Sequence, residues 1–166
     1  MTMGADPRVR VFVDLFNIYY PDWDAPGDAD ELKPEHVDFN DNLSGNWGRC
    51  GSRSDGTIVY KINRQKWIDW DVNRRLMLII HELGHVEHAH HKPSFWGEVI
   101  DIYYTFKERE DEVDAAIAGD IDWTQVAKHL TRDPNSSTVD RRCETVNERR
   151  QMMADALDYD GYVPSY

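Results

Sequence analysis

Alternating polar and apolar residues predict the strands of this chain. Residues 8–13 alternate and then run apolar, which predicts a first β-strand. Residues 20–34, rich in Pro and Asp, predict a loop, and residues 36–39 predict a short alternating strand. Residues 47–63 predict a β-hairpin, because a turn-rich stretch ending in Asp-Gly precedes a run of β-branched and aromatic residues at 57–62.

One stretch carries a clear helical pattern in the middle of the chain. Its apolar residues recur at the i, i+3, i+4, i+7 spacing of a single buried stripe, formed by Leu76, Ile79, Ile80 and Leu83. Asp69 and Asp71 are both suitable N-caps. We therefore expect a central helix that begins near one of these aspartates and ends at about Glu87 or His88.

The second half of the chain is predicted to be helical. After a Lys-Pro-Ser break, Ser94 is placed to cap a helix that carries the apolar residues of 95–106. The following charged stretch is helical in character, and Asp122 begins a sequence that resembles a capping box. A loop is expected at 131–138 and a final helix at 139–157.

The charge balance limits the classes of partner. The chain has 166 residues and a formal charge of -12, with 21 Asp and only six Lys against 13 Arg. Tight non-specific nucleic-acid binding needs a basic footprint, so direct nucleic-acid binding is disfavoured. An Asp-rich, Lys-poor composition is also typical of proteins from halophilic hosts or their viruses.

Cysteine and hydropathy patterns favour an intracellular, cytoplasmic protein. The two cysteines, Cys50 and Cys143, form no C-x-x-C pair, so neither a disulfide framework nor a zinc ribbon is expected. We expect Cys50 to be a small buried residue in the hairpin turn. No apolar run approaches the roughly 20 residues of a membrane span, and the first residues do not resemble a signal peptide.

The central helix carries an H-E-x-x-H pentad formed by His81, Glu82 and His85. Histidines four residues apart lie on one helical face, so both imidazoles can reach one zinc ion. The glutamate between them is placed to act on a water molecule at the metal. The pentad therefore predicts two zinc ligands and a general base.

The third ligand stays open on geometry alone. On a straight helix His88 would lie about 10 Å along the axis from His81, too far to share the ion. The remaining candidates are His90, His91, Glu98 and Asp101. His91 would fold back if the chain turns after His88, whereas Glu98 or Asp101 would complete a set of two histidines and a carboxylate.

Several motifs together resemble one family of zinc enzymes. A Trp-Gly-x-Cys turn begins at Trp47, a strand follows, the pentad begins at His81, a histidine lies ten residues later at His91, and a Phe-Trp pair begins at Phe95. This combination, over roughly residues 37–108, resembles the SprT-like and YgjP-like (WLM-related) zinc metallopeptidases.

The resemblance implies a fold and a site. It implies an α+β, zincin-like domain in which a short, partly antiparallel sheet packs on the motif helix. It also implies that His91 is the third zinc ligand and Glu82 the general base. We expect a single domain over 1–166, with a core at about 37–108 and a helical C-terminal extension at 109–166.

These features predict a zinc-dependent metallopeptidase that hydrolyses protein or peptide substrates with a zinc-activated water and Glu82 as the base. The alternatives are a zinc-stabilised, non-catalytic binding or structural module, such as a viral or DNA-repair-associated accessory protein, and a hydrolase for a non-peptide bond. An oxyanion donor is also needed. The candidates, each of which is better explained by packing or surface exposure, are His88, His90, Tyr103 and Tyr104.

Overall fold

The computed structural model describes residues 6–43, 47–132 and 143–163. This part of the chain forms a small mixed sheet surrounded by helices, which confirms the α+β class. Its elements in chain order are α1 (Pro7–Tyr19), β1 (Val37–Asn40), β2 (Gly48–Ser52), β3 (Ile58–Ile62), α2 (Arg64–Asp69), α3 (Val72–Gly84), α4 (Pro93–Glu108), α5 (Glu110–Ile117), α6 (Trp123–Arg132) and α7 (Cys143–Ala156).

The predicted strand at 8–13 is wrong, because these residues lie in α1. The Asp6 side chain caps the helix by accepting a hydrogen bond from the Arg8 backbone N–H at 2.9 Å, and Pro7 occupies the first turn. Four of the residues that α1 buries follow helical rather than alternating spacing: Val9, Phe12, Val13 and Phe16. The apparent alternation was a short segment of a longer helical pattern.

The sheet has the strand order β1-β3-β2, with β3 parallel to β1 and antiparallel to β2. The predicted hairpin at 47–63 and the strand at 36–39 are both confirmed. Cys50 lies within β2, opposite Tyr60. The expectation that it lies in the hairpin turn is therefore wrong. Gly56 has a φ of 89° in the turn, and a Cβ there would lie 2.2 Å from the Asp24 carbonyl oxygen, so the hairpin requires glycine.

Helix α1 covers one face of the sheet. The Phe12 ring stacks on Tyr60 of β3 with ring centroids 4.0 Å apart, and both side chains are fully buried. The connection between α1 and β1 contains two short 3-10 turns, Pro26–Asp28 and Pro34–His36. It is anchored by Asn17, whose side chain exchanges two hydrogen bonds with the backbone of Leu32. The predicted loop is therefore held against the core.

Helix α3 lies at the centre of the described structure, in contact with β2, α4 and α6. Asp71, one of the two predicted caps, accepts a hydrogen bond from the Arg74 backbone N–H at 3.0 Å. Asp69 instead ends α2, a short helix that the sequence patterns did not predict. The predicted stripe is confirmed, since all four of its side chains are fully buried.

Two details of the helical half differ from the sequence-based expectation. Ser94 does not cap α4, since Lys92 is the N-cap and Pro93 occupies the first turn. Residues 131 and 132 belong to α6, whose first turn receives the expected Asp122 cap. The rest of the predicted loop and residues 139–142 lie outside the described residues.

Candidate metal centre

Helix α3 ends earlier than predicted, and this early end creates the site. Its last residue is Gly84, and His85 is the C-cap, whose backbone N–H donates to the Glu82 carbonyl oxygen at 3.0 Å. The motif helix therefore stops within the pentad and not at Glu87 or His88. The chain is then free to turn back toward His81.

Two distant side chains fix the turn that follows the helix. The Ser52 hydroxyl at the end of β2 donates to the Val86 carbonyl oxygen at 2.8 Å. The Tyr20 hydroxyl, just after α1, donates to the Leu83 carbonyl oxygen at 3.1 Å. Both bonds go to carbonyl groups near the end of the helix, where intrahelical donors run out. The hairpin and α1 thus set the path of the returning chain.

The turn brings three imidazole rings together. The Nε2 atoms of His81 and His85 are 3.1 Å apart, those of His85 and His91 are 3.2 Å apart, and those of His91 and His81 are 3.3 Å apart. Zinc–nitrogen bonds of about 2.0–2.1 Å in a tetrahedral arrangement place donor atoms about 3.3–3.4 Å apart. The spacing of this histidine triad therefore fits a zinc ion with one position left open.

One hydrogen bond orients the His85 ring, and another fixes the backbone of His91. The Nδ1 atom of His85 lies 2.7 Å from the His88 carbonyl oxygen, so Nδ1 carries the proton and Nε2 presents its lone pair. The Trp96 indole N–H donates to the His91 carbonyl oxygen at 3.1 Å, which fixes the backbone of the returning chain. The first contact prepares His85 Nε2 for a metal, and the second holds the chain that carries His91 in place.

The Phe95 ring forms the floor beneath the three imidazoles. It stacks on His85 at a centroid distance of 4.4 Å and lies 5.0 Å from both His81 and His91. Phe95 and Trp96 are both fully buried, as expected for core residues. This apolar floor excludes water on one side of the triad and restricts how far the rings can rotate.

Glu82 lies beside the triad and is almost fully buried, at 2% exposure. Its Oε1 atom is 3.9 Å from His81 Nε2. Its carboxyl carbon would be 3.4 Å from a Cβ at Gly48, the first residue of β2. A Cβ at position 48 would thus lie in ordinary contact with this carboxylate, and it would meet the Lys61 carbonyl oxygen tightly, at 3.0 Å. Burial and the nearby Glu82 raise the pKa of the Cys50 thiol on the same strand.

The sequence profile of the YgjP-like metallopeptidase domain matches residues 28–116, which is more than half of the chain. The chain belongs to the YgjP-like metallopeptidase family. No curated protein and no solved structure matches the chain. The family match confirms the resemblance noted in the sequence, and it begins before and ends after the 37–108 region that carried that resemblance.

In this YgjP-like domain the other candidate ligands lie away from the triad. The side chain of His90 accepts a hydrogen bond from the Lys92 backbone N–H at 3.1 Å, and Asp101 is exposed. Glu98 lies with Glu87 and His88 in a separate group. Among the described residues, the structure therefore places His91, and none of the alternatives, with His81 and His85.

The tyrosines proposed as oxyanion donors serve the packing of the C-terminal helices of the YgjP-like chain. The Tyr103 hydroxyl donates to the Trp123 carbonyl oxygen at 3.4 Å, and burial raises its pKa to about 12. The Tyr104 hydroxyl donates to the Ala156 carbonyl oxygen. Both hydroxyls are engaged there, which agrees with the packing role expected for them.

Sequence patterns did not identify Tyr20, Ser52 or Gly48 as parts of the site. Each acts through a contact with a residue at least 34 positions away along the chain. Their local sequence contexts are ordinary, apart from the Trp-Gly pair before β2. No helix in the described ranges is both long enough and apolar enough to span a bilayer.

Proposed function

We propose that this protein is a zinc-dependent peptidase in which His81, His85 and His91 hold the ion and Glu82 is the general base. The observation that carries the proposal is the mutual spacing of the three Nε2 atoms, 3.1–3.3 Å, beside a buried carboxylate. Three neutral imidazoles and one open position are the donor set of a catalytic rather than a structural zinc site.

A zinc ion in this position supplies a Lewis acid for the scissile carbonyl and makes water acidic enough to attack near neutral pH. Glu82 accepts the proton of the attacking water and delivers it to the nitrogen of the leaving amine. Its burial against β2 holds the carboxylate on one side of the triad. The Phe95 floor closes the opposite side to competing water.

The strand order suggests how a peptide would be held. Since β3 lies between β1 and β2, the outer edge of β2 lacks a strand partner among the described residues. An extended peptide would pair with that edge as an added strand. Gly48 of β2 lies against Glu82, so a peptide on this edge would pass close to the base. This supports a peptide, and not a small polar molecule, as the substrate.

The test compares the purified wild-type protein with Glu82→Gln on a peptide library, with zinc content measured on the same samples. We expect about one zinc ion at the triad in both proteins. We expect a loss of about 100- to 10,000-fold in peptide cleavage for Glu82→Gln, the usual contribution of a general base. Glu108→Gln, which removes an exposed carboxylate at the end of α4, is the matched control and should cleave normally.

Two outcomes would contradict the proposal. Equal cleavage by the Glu82→Gln and wild-type proteins would exclude Glu82 as the base. A wild-type protein that holds zinc, unfolds when the metal is removed and cleaves no peptide would instead be a zinc-stabilised binding module.

A further inference from the structure

A second group of metal-binding side chains lies next to the histidine triad. Glu87 and His88 belong to the turn between α3 and α4, and Glu98 lies on α4. One ligand atom of each residue lies within 4.8 Å of the corresponding atoms of the other two. The group shares no side chain with the triad, and we call it the Glu-His-Glu cluster.

The last residue of α1, Tyr19, holds Glu98 in place. The Tyr19 hydroxyl donates to Oε2 at 2.8 Å, and the Tyr20 hydroxyl oxygen lies 3.4 Å from Oε1. Because the single Tyr20 proton is donated to the Leu83 carbonyl oxygen, Oε1 keeps its lone pairs for another partner. Hydrogen bonds of this kind to a ligating carboxylate are typical of the outer shell of metal sites.

No lysine or arginine in the described part of the chain balances the charge of the cluster. Among the described residues, neither Glu87 nor Glu98 forms an ion pair with a lysine or arginine. Two carboxylates held near one imidazole disfavour each other unless a cation lies between them. A divalent ion would balance both negative charges and use the imidazole nitrogen as a third donor.

We propose that the Glu-His-Glu cluster binds a second divalent transition-metal ion, for which zinc is the probe. One imidazole and two carboxylates form a mixed donor set that suits zinc and its first-row neighbours more than calcium or magnesium. The Nε2 atoms of the triad are already at the spacing of zinc ligands, whereas the ligand atoms of the cluster, up to 4.8 Å apart, must move closer together. Glu87 is also exposed, so water competes for its carboxylate. The second ion therefore binds more weakly than the first.

The second ion would act on the shape of the site. It would join the turn after α3 to α4, and through Tyr19 to the end of α1. The backbone carbonyl of His88 accepts the hydrogen bond from His85 Nδ1, so the same residue contacts both metal positions. Occupancy of the cluster would therefore stabilise the turn that carries His91 and raise the free energy of unfolding.

The test is equilibrium dialysis of the full-length protein against increasing free zinc, with bound zinc per chain measured by elemental analysis. We expect wild type to hold one ion at low free zinc and to approach two at high free zinc. Glu98→Gln should weaken the second binding step by about tenfold or more and leave the first unchanged. His88→Ala should do the same, because it keeps the backbone carbonyl that contacts His85.

The matched control is Asp101→Asn, which removes one negative charge from the same helix, outside the cluster. It should bind two ions as wild type does. A wild-type protein that saturates at one ion, or a second step that Glu98→Gln and His88→Ala leave intact, would overturn the proposal. Equal weakening by Asp101→Asn would show a general effect of charge and no specific site. The first binding step reports on the triad separately, so failure of the cluster leaves the peptidase proposal standing.

Discussion

Replacing Gly84 with alanine tests how closely the motif helix must approach α4. A Cβ at Gly84 would lie 2.8 Å from Phe95 Cε1 and 3.1 Å from Val99 Cγ2. Carbon atoms in contact prefer separations of about 3.5–4.0 Å, so the ring and the valine would have to move. Both neighbours are fully buried, which leaves little room for that movement. The substitution therefore strains the packing directly beneath the histidine triad.

The same chain contains a matched position without this constraint. A Cβ at Gly97, within α4, would have no atom within 4 Å. Gly97→Ala should stabilise the protein by about 0.5–1 kcal/mol, the difference in helix propensity. At Gly84, overpacking costs about 1–3 kcal/mol of unfolding free energy. The gain in helix propensity is smaller at the end of a helix, so the net loss of stability is about 1–2 kcal/mol.

Thermal and urea unfolding of the two metal-free variants would measure these free energies. For a chain of this size, 1 kcal/mol corresponds to about 2–4 °C in Tm, so Gly84→Ala should lower Tm by about 2–8 °C and Gly97→Ala should raise it by about 1–4 °C. Displacement of Phe95 should also weaken zinc binding by about tenfold in Gly84→Ala alone, measured by competition with a chelator. The packing argument would be refuted if both variants were stabilised alike.

Three further predictions concern individual contacts. Trp96→Phe removes the donor to the His91 carbonyl oxygen and should cost about 1–3 kcal/mol of unfolding free energy, with weaker zinc binding in a chelator titration; unchanged zinc affinity would refute the positioning role. The hydrogen bond to the Arg8 side chain lowers the pKa of Asp6, so its contribution is present above the unfolded pKa and lost as the pH falls through the folded one. Asp6→Asn should therefore destabilise the protein by about 1 kcal/mol near pH 7, and the difference from wild type should shrink in acid unfolding curves as the pH falls through the lowered pKa of Asp6. Alkylation followed by peptide mapping should show Cys50 reacting much more slowly in the native than in the urea-unfolded protein, since its pKa is raised by burial; equal rates would contradict this.

Local patterns were sufficient to predict the centre of the fold. The hairpin follows from an Asp-Gly turn before a β-branched strand, and α3 follows from four apolar residues at helical spacing. The missed helix, α1, also had local indications, since Asp6 and Pro7 are favourable at a helix start. The error came from a window of six residues, which was too short to separate a period of 2 from one of 3.6.

The position of the third histidine depended on contacts that no local pattern contains. Helix α3 ends at Gly84. The side chains of Tyr20 and Ser52 bind the carbonyl groups at and just beyond this end, and they are 63 and 34 residues from their acceptors. Geometry along the chain left His91 and Glu98 equally open, and only the family resemblance favoured His91. Tyr19, whose hydroxyl binds Glu98 away from the triad, is 79 residues from it in sequence. Contacts of this range become visible only in the folded structure.

The three triad histidines lie within one short segment, and the last is only ten positions after the first. Closing such a small loop costs little chain entropy, so the unfolded polypeptide keeps part of its affinity for zinc. Metal bound to the unfolded chain reduces the stabilisation that the ion gives to the native state. Zinc should therefore protect this protein against denaturants less than its affinity for the folded site implies. The same short segment would allow the metal to be captured early in folding, before the hairpin and α1 have assembled around it.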